Sequence, residues 1–275
     1  MEQPGRLGFK SAAGLFILGL AASSCGLALG IKDVSLDPAG GGGTSGAGGS
    51  STTTSDTGST GGVGTDGSAF IRVIDDMEDM NEDISMVEGR VGTWYSYNDM
   101  TAAGVQTLPL DPNGTIPFPM SAIMLPRGTS QWAAHTAGMG FTTWGAGFGF
   151  DLNTILGAKS GYDASKYTGV HFYAKMGASA SAAIRFLIGD VNTAPEGGIC
   201  HPSGADANCS DHFGQDLTLT TDWQEFTIAF TAMTQEGWAM QTLPSIDKSK
   251  LYYIHFQARP TVNFDIWVDD IAFYE

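Results

Sequence analysis

The final stretch of the chain, Val262 to Tyr274, reads VNFDIWVDDIAFY and sets apolar Phe264, Ile266 and Val268 between Asp265, Trp267 and Asp269. A two-residue period predicts a strand with one buried face. Similar short runs recur from Phe70 onward, at 70–77, 91–98, 131–137, 143–152, 168–176, 183–190, 215–219, 223–231, 251–258 and 263–274. Gly, Pro, Asn and Asp separate them. No stretch keeps a helical period for long, although Asp163 to Tyr167 and Thr231 to Trp238 each have room for one helical turn. Many short strands with turn signals predict an all-β jelly-roll sandwich.

Alternation also assigns faces. Val170, Phe172 and Ala174 share one side of their strand, and His171, Tyr173 and Lys175 the other. Ile184, Phe186 and Ile188 oppose Arg185 and Leu187. Tyr252, Ile254, Phe256 and Ala258 oppose Tyr253, His255, Gln257 and Arg259. Thr142, Trp144, Ala146, Phe148, Phe150 and Leu152 read as a further apolar face. With the aliphatic and Phe-rich sides in the core, three strands present an outer surface of aromatic, cationic and amide groups.

The 275 residues suffice for one sizeable domain, 69–275, preceded by other segments. Arg6 and Lys10 precede an apolar run from Ala12 to Ala22, the layout of a signal peptide over 1–25 and too short to span a bilayer comfortably. Leu20-Ala21-Ala22-Ser23-Ser24-Cys25 resembles a lipobox, departing from it in having Ala22 three residues before the cysteine. The expectation is an exported chain tethered to the outer membrane or cell surface through a lipid on Cys25, with simple cleavage and secretion as the alternative. Residues 26–68 form a linker. From Asp37 to Ser68 it is almost entirely Gly, Ser, Thr and Ala, too poor in apolar groups to fold. Its random-coil reach is ~30 Å.

A formal net charge of -16 argues against nucleic acid, which rewards dense Lys and Arg. The acids cluster at the ends of the folded part: Asp75, Asp76, Glu78 and Asp79 at the start, Asp269 and Asp270 in the last strand. Carboxylates inside an apolar strand are costly unless something positive or donor-rich receives them. The first and last strands are therefore expected to pair, with a Ca2+ ion held by Glu78 and Asp270 first, and Asp76 and Asp269 next. Such an ion takes six to eight hard oxygen ligands.

The outer surface suits sugar. Aromatic rings cover the flat apolar faces of a glycan, and Arg, Gln and His satisfy its hydroxyls. Tyr173, Arg185, Tyr253, His255, Gln257, Arg259 and His171 supply this mixture and are the expected ligand contacts. Cys200 and Cys209 close a short loop and are expected to form a disulfide in an oxidising compartment. A zinc reading with His201 and His212 lacks the usual finger spacing.

Several segments together resemble jelly-roll, galactose-binding-like carbohydrate-binding modules nearest to the family-eleven type. They are VIDDMED, GRVGTWYSYND, FTTWGAGFGFDLN, YTGVHFYAKMG and FDIWVDDIAFY. The resemblance implies a concave β-sheet cleft for β-glucan-type polysaccharide and a structural Ca2+, and the expected role is binding without catalysis. Two readings stand beside it: a jelly-roll polysaccharide hydrolase or lyase, and a surface protein that binds another protein. Asp265 and Asp269 lie ~13 Å apart along an extended strand. That is too far for a glycosidase pair, which needs about 5–9.5 Å. No GxSxG or HExxH motif is present.

Overall fold

The computed structural model describes residues 71–107, 118–239 and 241–275. The signal segment, Cys25 and the linker lie outside the described residues. Strands run in the order β1 (Ile71–Asp75), β2 (Trp94–Asn98), β3 (Val105–Gln106), β4 (Ser121–Arg127), β5 (Ser130–Met139), β6 (Ala146–Asp151), β7 (Thr154–Ile155) and β8 (Ala158–Lys159). They continue through β9 (Gly169–Met176), β10 (Ala183–Asp190), β11 (Phe213–Thr218), β12 (Gln224–Ala229), β13 (Leu251–Ala258) and β14 (Phe264–Tyr274). Helical structure among the described residues is confined to 3-10 turns at Pro195–Gly197 and Phe230–Ala232. The expected turn at Asp163 to Tyr167 is instead a plain turn, with the Ser165 amide donating to Asp163.

Two antiparallel sheets form a β-sandwich. The seven-stranded sheet has the order β12-β9-β14-β5-β3, with β1 on β14 and β4 on β5. The five-stranded sheet has the order β11-β10-β13-β6-β2. Inward residues of both meet in an aromatic core. Phe172 of β9 lies 5.1 Å from both Phe186 and Phe256, whose strands belong to the opposite sheet. Phe148 packs 5.6 Å from Phe256, and Trp94 lies 4.7 Å from Phe150. Burying such rings away from water contributes roughly 1.5–3 kcal/mol each.

First and last strands do pair: Ile71 faces Tyr274, and Val73 faces Ala272. β14 carries one extra residue against β9, because Asp269 faces Tyr173 while Ala272 already faces His171. This bulge puts Asp270 at φ 48° and interrupts the alternation seen in the sequence. Strands β3, β4, β7 and β8 have no counterpart among the expected strands. β4 holds Pro126 and pairs with β5 alone, bulging between Ala122 and Arg127, so it has neither a clean period nor a second partner.

Asp75, the last residue of β1, is a buried acid at this junction. It is 2% exposed, and its carboxylate accepts from the Met77 amide at 2.9 Å and from Trp94 Nε1 at 2.6 Å. Burial nonetheless pushes it up to about 7, from a usual value near 4. A folded-state acid raised in this way adds stability as pH falls from about 7 toward 4, since the folded state then binds the extra proton. Buried His212 and His255 are depressed and work in the opposite direction, but they cancel when a variant is compared with the parent. Urea unfolding of the parent and of Asp75→Asn is expected to show the parent's relative stability growing between pH 7.5 and 4.5; a constant difference would refute it.

Candidate functional site

The outward positions of the five-stranded sheet form one continuous surface in register. Arg185, Gln257, Gly147 and Tyr97 make one row across it. Leu187, His255, Gly149 and Tyr95 make the next, followed by Gly189, Tyr253 and Asp151. The glycines stand where a neighbouring ring needs room. A Cβ at Gly147 would lie 2.7 Å from Tyr97 Oη, one at Gly149 would lie 2.6 Å from His255 Cδ2, and one at Gly189 would lie 2.2 Å from Tyr253 Cε2. Each ring thus lies over bare backbone of the next strand. The rings overlap in series: Tyr253 and His255 at 4.5 Å and 10°, His255 and Tyr97 at 4.6 Å, Tyr97 and Trp144 at 6.0 Å and 27°.

Trp144 departs from the expected apolar face. Thr142 and Trp144 are exposed, whereas Ala146, Phe148, Phe150 and Leu152 are buried. The reason is Gly145, whose φ of 101° turns the chain just before β6 begins. Asp99 Oδ2 accepts from the amides of Thr143, Trp144 and Gly145 at 2.7, 3.0 and 3.1 Å. Gln257 Nε2 donates to the Trp144 carbonyl at 2.7 Å. The indole is left 43% exposed on a backbone held from both sides.

At one end of this surface Lys159 Nζ lies 2.9 Å from Asp151 Oδ1 and 3.8 Å from Glu196 Oε1. It also sits 4.8 Å above the Tyr95 ring and 4.9 Å above the Tyr253 ring. Tyr95 Oη contacts Asp151 Oδ1 at 3.0 Å and His255 Nε2 at 2.7 Å. At the other end Arg259 donates to Glu236 at 2.6 Å and to Asp216 at 2.7 Å. Burial, with His212 and Lys159 nearby, holds His255 well below the ordinary imidazole range, and burial takes His212 to about 3. Both imidazoles are neutral at physiological pH. The surface therefore offers ring faces, amides and mutually paired charges, which suits hydrogen bonding to a neutral polyol.

Of the expected contact residues, Arg185, Tyr253, His255, Gln257 and Arg259 share this sheet, but not all of them are accessible. Arg185 and Tyr253 are 5% and 4% exposed. The Arg185 guanidinium is committed to the Thr234 carbonyl at 2.5 Å and to Asp216, and Tyr253 is packed with Val191, Ala194 and Tyr252. These two side chains support the surface from beneath. His171 and Tyr173 lie on β9, in the other sheet. His171 bonds Glu225 at 2.9 Å, and Tyr173 is covered by the Arg127 guanidinium at 3.7 Å. Because the core separates the two outer faces, they cannot join the others. Tyr95 and Tyr97 were legible in the alternation of WYSYN, which turns Trp94 and Ser96 inward. Lys159 comes from a two-residue strand that carries no periodic signal.

Of the acids proposed as metal ligands, Asp269, Asp270 and Glu78 contact the β4–β5 hairpin. Arg127 pairs with Asp269 at 3.0 Å and with Asp270 at closer range, and Ser130 donates to Asp269 at 2.6 Å. Glu78 accepts from the neighbouring amides of Gln131 and Trp132 at 2.8 and 3.0 Å. Asp76 caps the Glu78 amide at 3.3 Å. Among the described residues no group of three or more His, Cys, Asp or Glu side chains is arranged to hold a metal ion. Yet two carboxylates face one guanidinium, and buried Asp269 Oδ1 has no hydrogen-bond partner within the protein. Burial raises Asp269 to about 6, and the Asp270 charge adds to this. That unmet acceptor is compatible with a hard cation. Cys200 and Cys209 form the expected disulfide, with Cα atoms 5.1 Å apart.

A rigid aromatic surface edged by hydrogen-bonding groups, on a β-sandwich, defines a binding module in class. The chain belongs to the carbohydrate binding domain 30 family, whose sequence model matches residues 83–275. Residues 83–275 thus form a carbohydrate-binding domain. No curated protein sequence matches the chain. Similar solved structures include the family 11 carbohydrate-binding module of the cellulosomal cellulase Lic26A-Cel5E of Clostridium thermocellum. That match is 17% identical, covers 75% of this chain and 95% of that one, and has a TM-score of 0.45. A family 11 module from the same organism, in complex with a β-1,3-1,4-mixed-linked tetrasaccharide, is 16% identical over 71% and 95% of the chains, with a TM-score of 0.41. The family 30 module of the cellulosomal cellulase Cel9D-Cel44B of Clostridium thermocellum is 16% identical over 66% and 98%, with a TM-score of 0.39.

Proposed function

We propose that the protein holds β-glucan-type polysaccharide on the outer face of its five-stranded sheet. The observation that carries this reading is the series of overlapping rings that runs from His255 through Tyr97 to the exposed Trp144, beside Gln257 and Arg259. A neutral glucan chain offers the matching chemistry: apolar ring faces edged by hydroxyls. A hydrolase reading would need a carboxyl pair free to exchange protons, and Asp216 and Glu236 are both committed to Arg259.

The proposal extends to the rest of the chain. The N-terminal pattern supports export, with a lipid on Cys25 tethering the module to the outer membrane or cell surface through the linker. The support for a structural Ca2+ ion beside Asp269 and Asp270 is the unpartnered buried Asp269 Oδ1.

Affinity electrophoresis in soluble mixed-linkage β-glucan is expected to retard the protein. Trp144→Ala or Tyr97→Ala should weaken retention by about tenfold or more, on the scale of a lost anchoring aromatic, while Tyr173→Ala on the opposite sheet leaves it intact. Unchanged mobility of the parent in every glucan would overturn the reading, and release of reducing ends would replace it with hydrolysis. Chelation with EDTA should lower the melting temperature and added Ca2+ restore it, and Asp269→Asn should abolish this response; equal melting temperatures in both buffers would remove the ion. Labelling expressing bacterial cells with radioactive palmitate should mark the parent and spare Cys25→Ala, and an unlabelled parent would leave cleavage and secretion.

A further inference from the structure

The segment Cys209–His212 is tied to three neighbours of the outer face: Cys200, Thr193 and the loop 234–239. Cys209 is bridged to Cys200. Ser210, at φ 73°, donates its amide to the Thr193 carbonyl at 2.8 Å. Asp211 is 1% exposed and points the other way. Its carboxylate accepts the amides of Glu236, Gly237 and Ala239 at 2.9, 2.9 and 3.2 Å, and its carbonyl accepts Gln235 Nε2 at 2.7 Å. The loop 234–239 is thus folded around one buried carboxylate. That loop supplies Glu236, the partner of Arg259, and Trp238, which is 60% exposed.

His212 anchors the floor. Thr193 Oγ1 donates to Asp190 Oδ1 at 2.9 Å, so toward His212 it acts as an acceptor. His212 Nδ1, 3.0 Å away, therefore carries the ring proton. Nε2 is then an acceptor and takes the Tyr253 hydroxyl at 3.2 Å. Tyr253 is the ring on which His255 stacks. One directed chain of hydrogen bonds runs from Tyr253 through His212 and Thr193 to Asp190.

We propose that Asp211 and His212 are positioning residues for the carbohydrate-binding face. Asp211 sets the loop 234–239 at one edge, and His212 sets Tyr253, the ring on which His255 stacks. This rests on the reading of that face as the glycan site. Neither residue touches the ligand; both act through groups they hold.

The test uses the full chain with Asp211→Asn, His212→Gln and His212→Leu. Asn has one acceptor oxygen and turns an N–H2 toward amide donors, so the loop is released. Gln places an acceptor where Nε2 stood, whereas Leu has none. Affinity for soluble mixed-linkage β-glucan should fall about tenfold in Asp211→Asn and His212→Leu, and return to within about twofold of the parent in His212→Gln. Trp238 emission, taken as the difference against a Trp238→Phe partner in each background, should change in Asp211→Asn alone, with far-UV circular dichroism unchanged. Parent-like affinity in both Asp211→Asn and His212→Leu, or His212→Gln binding no better than His212→Leu, overturns the proposal. If Asp211→Asn does not fold, the Gln and Leu pair decides. If the parent itself binds no glucan, the functional reading falls; the emission of Asp211→Asn then still decides whether Asp211 sets the loop.

Discussion

The structure depends on the contact between Phe172 of one sheet and Phe186 and Phe256 of the other. Aromatic burial of this kind holds two sheets face to face, and it uses one side of every strand to do so. Everything available for function lies on the two remaining sides, which point in opposite directions. That constraint divides the polar and aromatic residues into two independent surfaces: Tyr97, Trp144, His255, Gln257 and Arg259 on one, and His171, Tyr173, Trp267 and Arg127 on the other.

The two surfaces handle their rings differently. On the five-stranded sheet, glycines in adjacent strands let the rings lie across bare backbone and overlap in series. Flat, fixed rings lose little freedom when a ligand settles on them, which favours binding. On the seven-stranded sheet cations already occupy the ring faces. Arg127 covers Tyr173, and Lys175 lies 5.2 Å above both Trp223 and Trp267. On the first surface Lys159 likewise covers Tyr95 and Tyr253, but among the described residues no cation lies over Tyr97 or Trp144.

The binding surface also relies on polar groups beneath and beside it. Asp99 holds the backbone of Trp144, Asp211 holds the loop that supplies Glu236, and His212 holds Tyr253. Each is a single side chain that accepts or relays several hydrogen bonds at a loop. The enclosed ones are costly to lose, since a buried donor left unmet has no solvent to turn to. The stiffness of the site thus comes from loops tied to the sheet as well as from the sheet.

The sequence by itself determined the strands with a clean two-residue period, the pairing of the domain's first and last strands, the all-β class and the disulfide. It also marked His255, Gln257 and Arg259 as outward residues, because alternation is a local property of extended chain. The same rule displayed Tyr95 and Tyr97 in WYSYN. Tertiary structure alone decided which outward residues share a face, since alternation says nothing about which sheet a strand joins; so Tyr173 and Tyr253 look equivalent in sequence and are separated by the core. It alone decided that Arg185 and Tyr253 are covered, because their covers come from loops distant in sequence. It alone turned Trp144 outward, through one positive φ at Gly145.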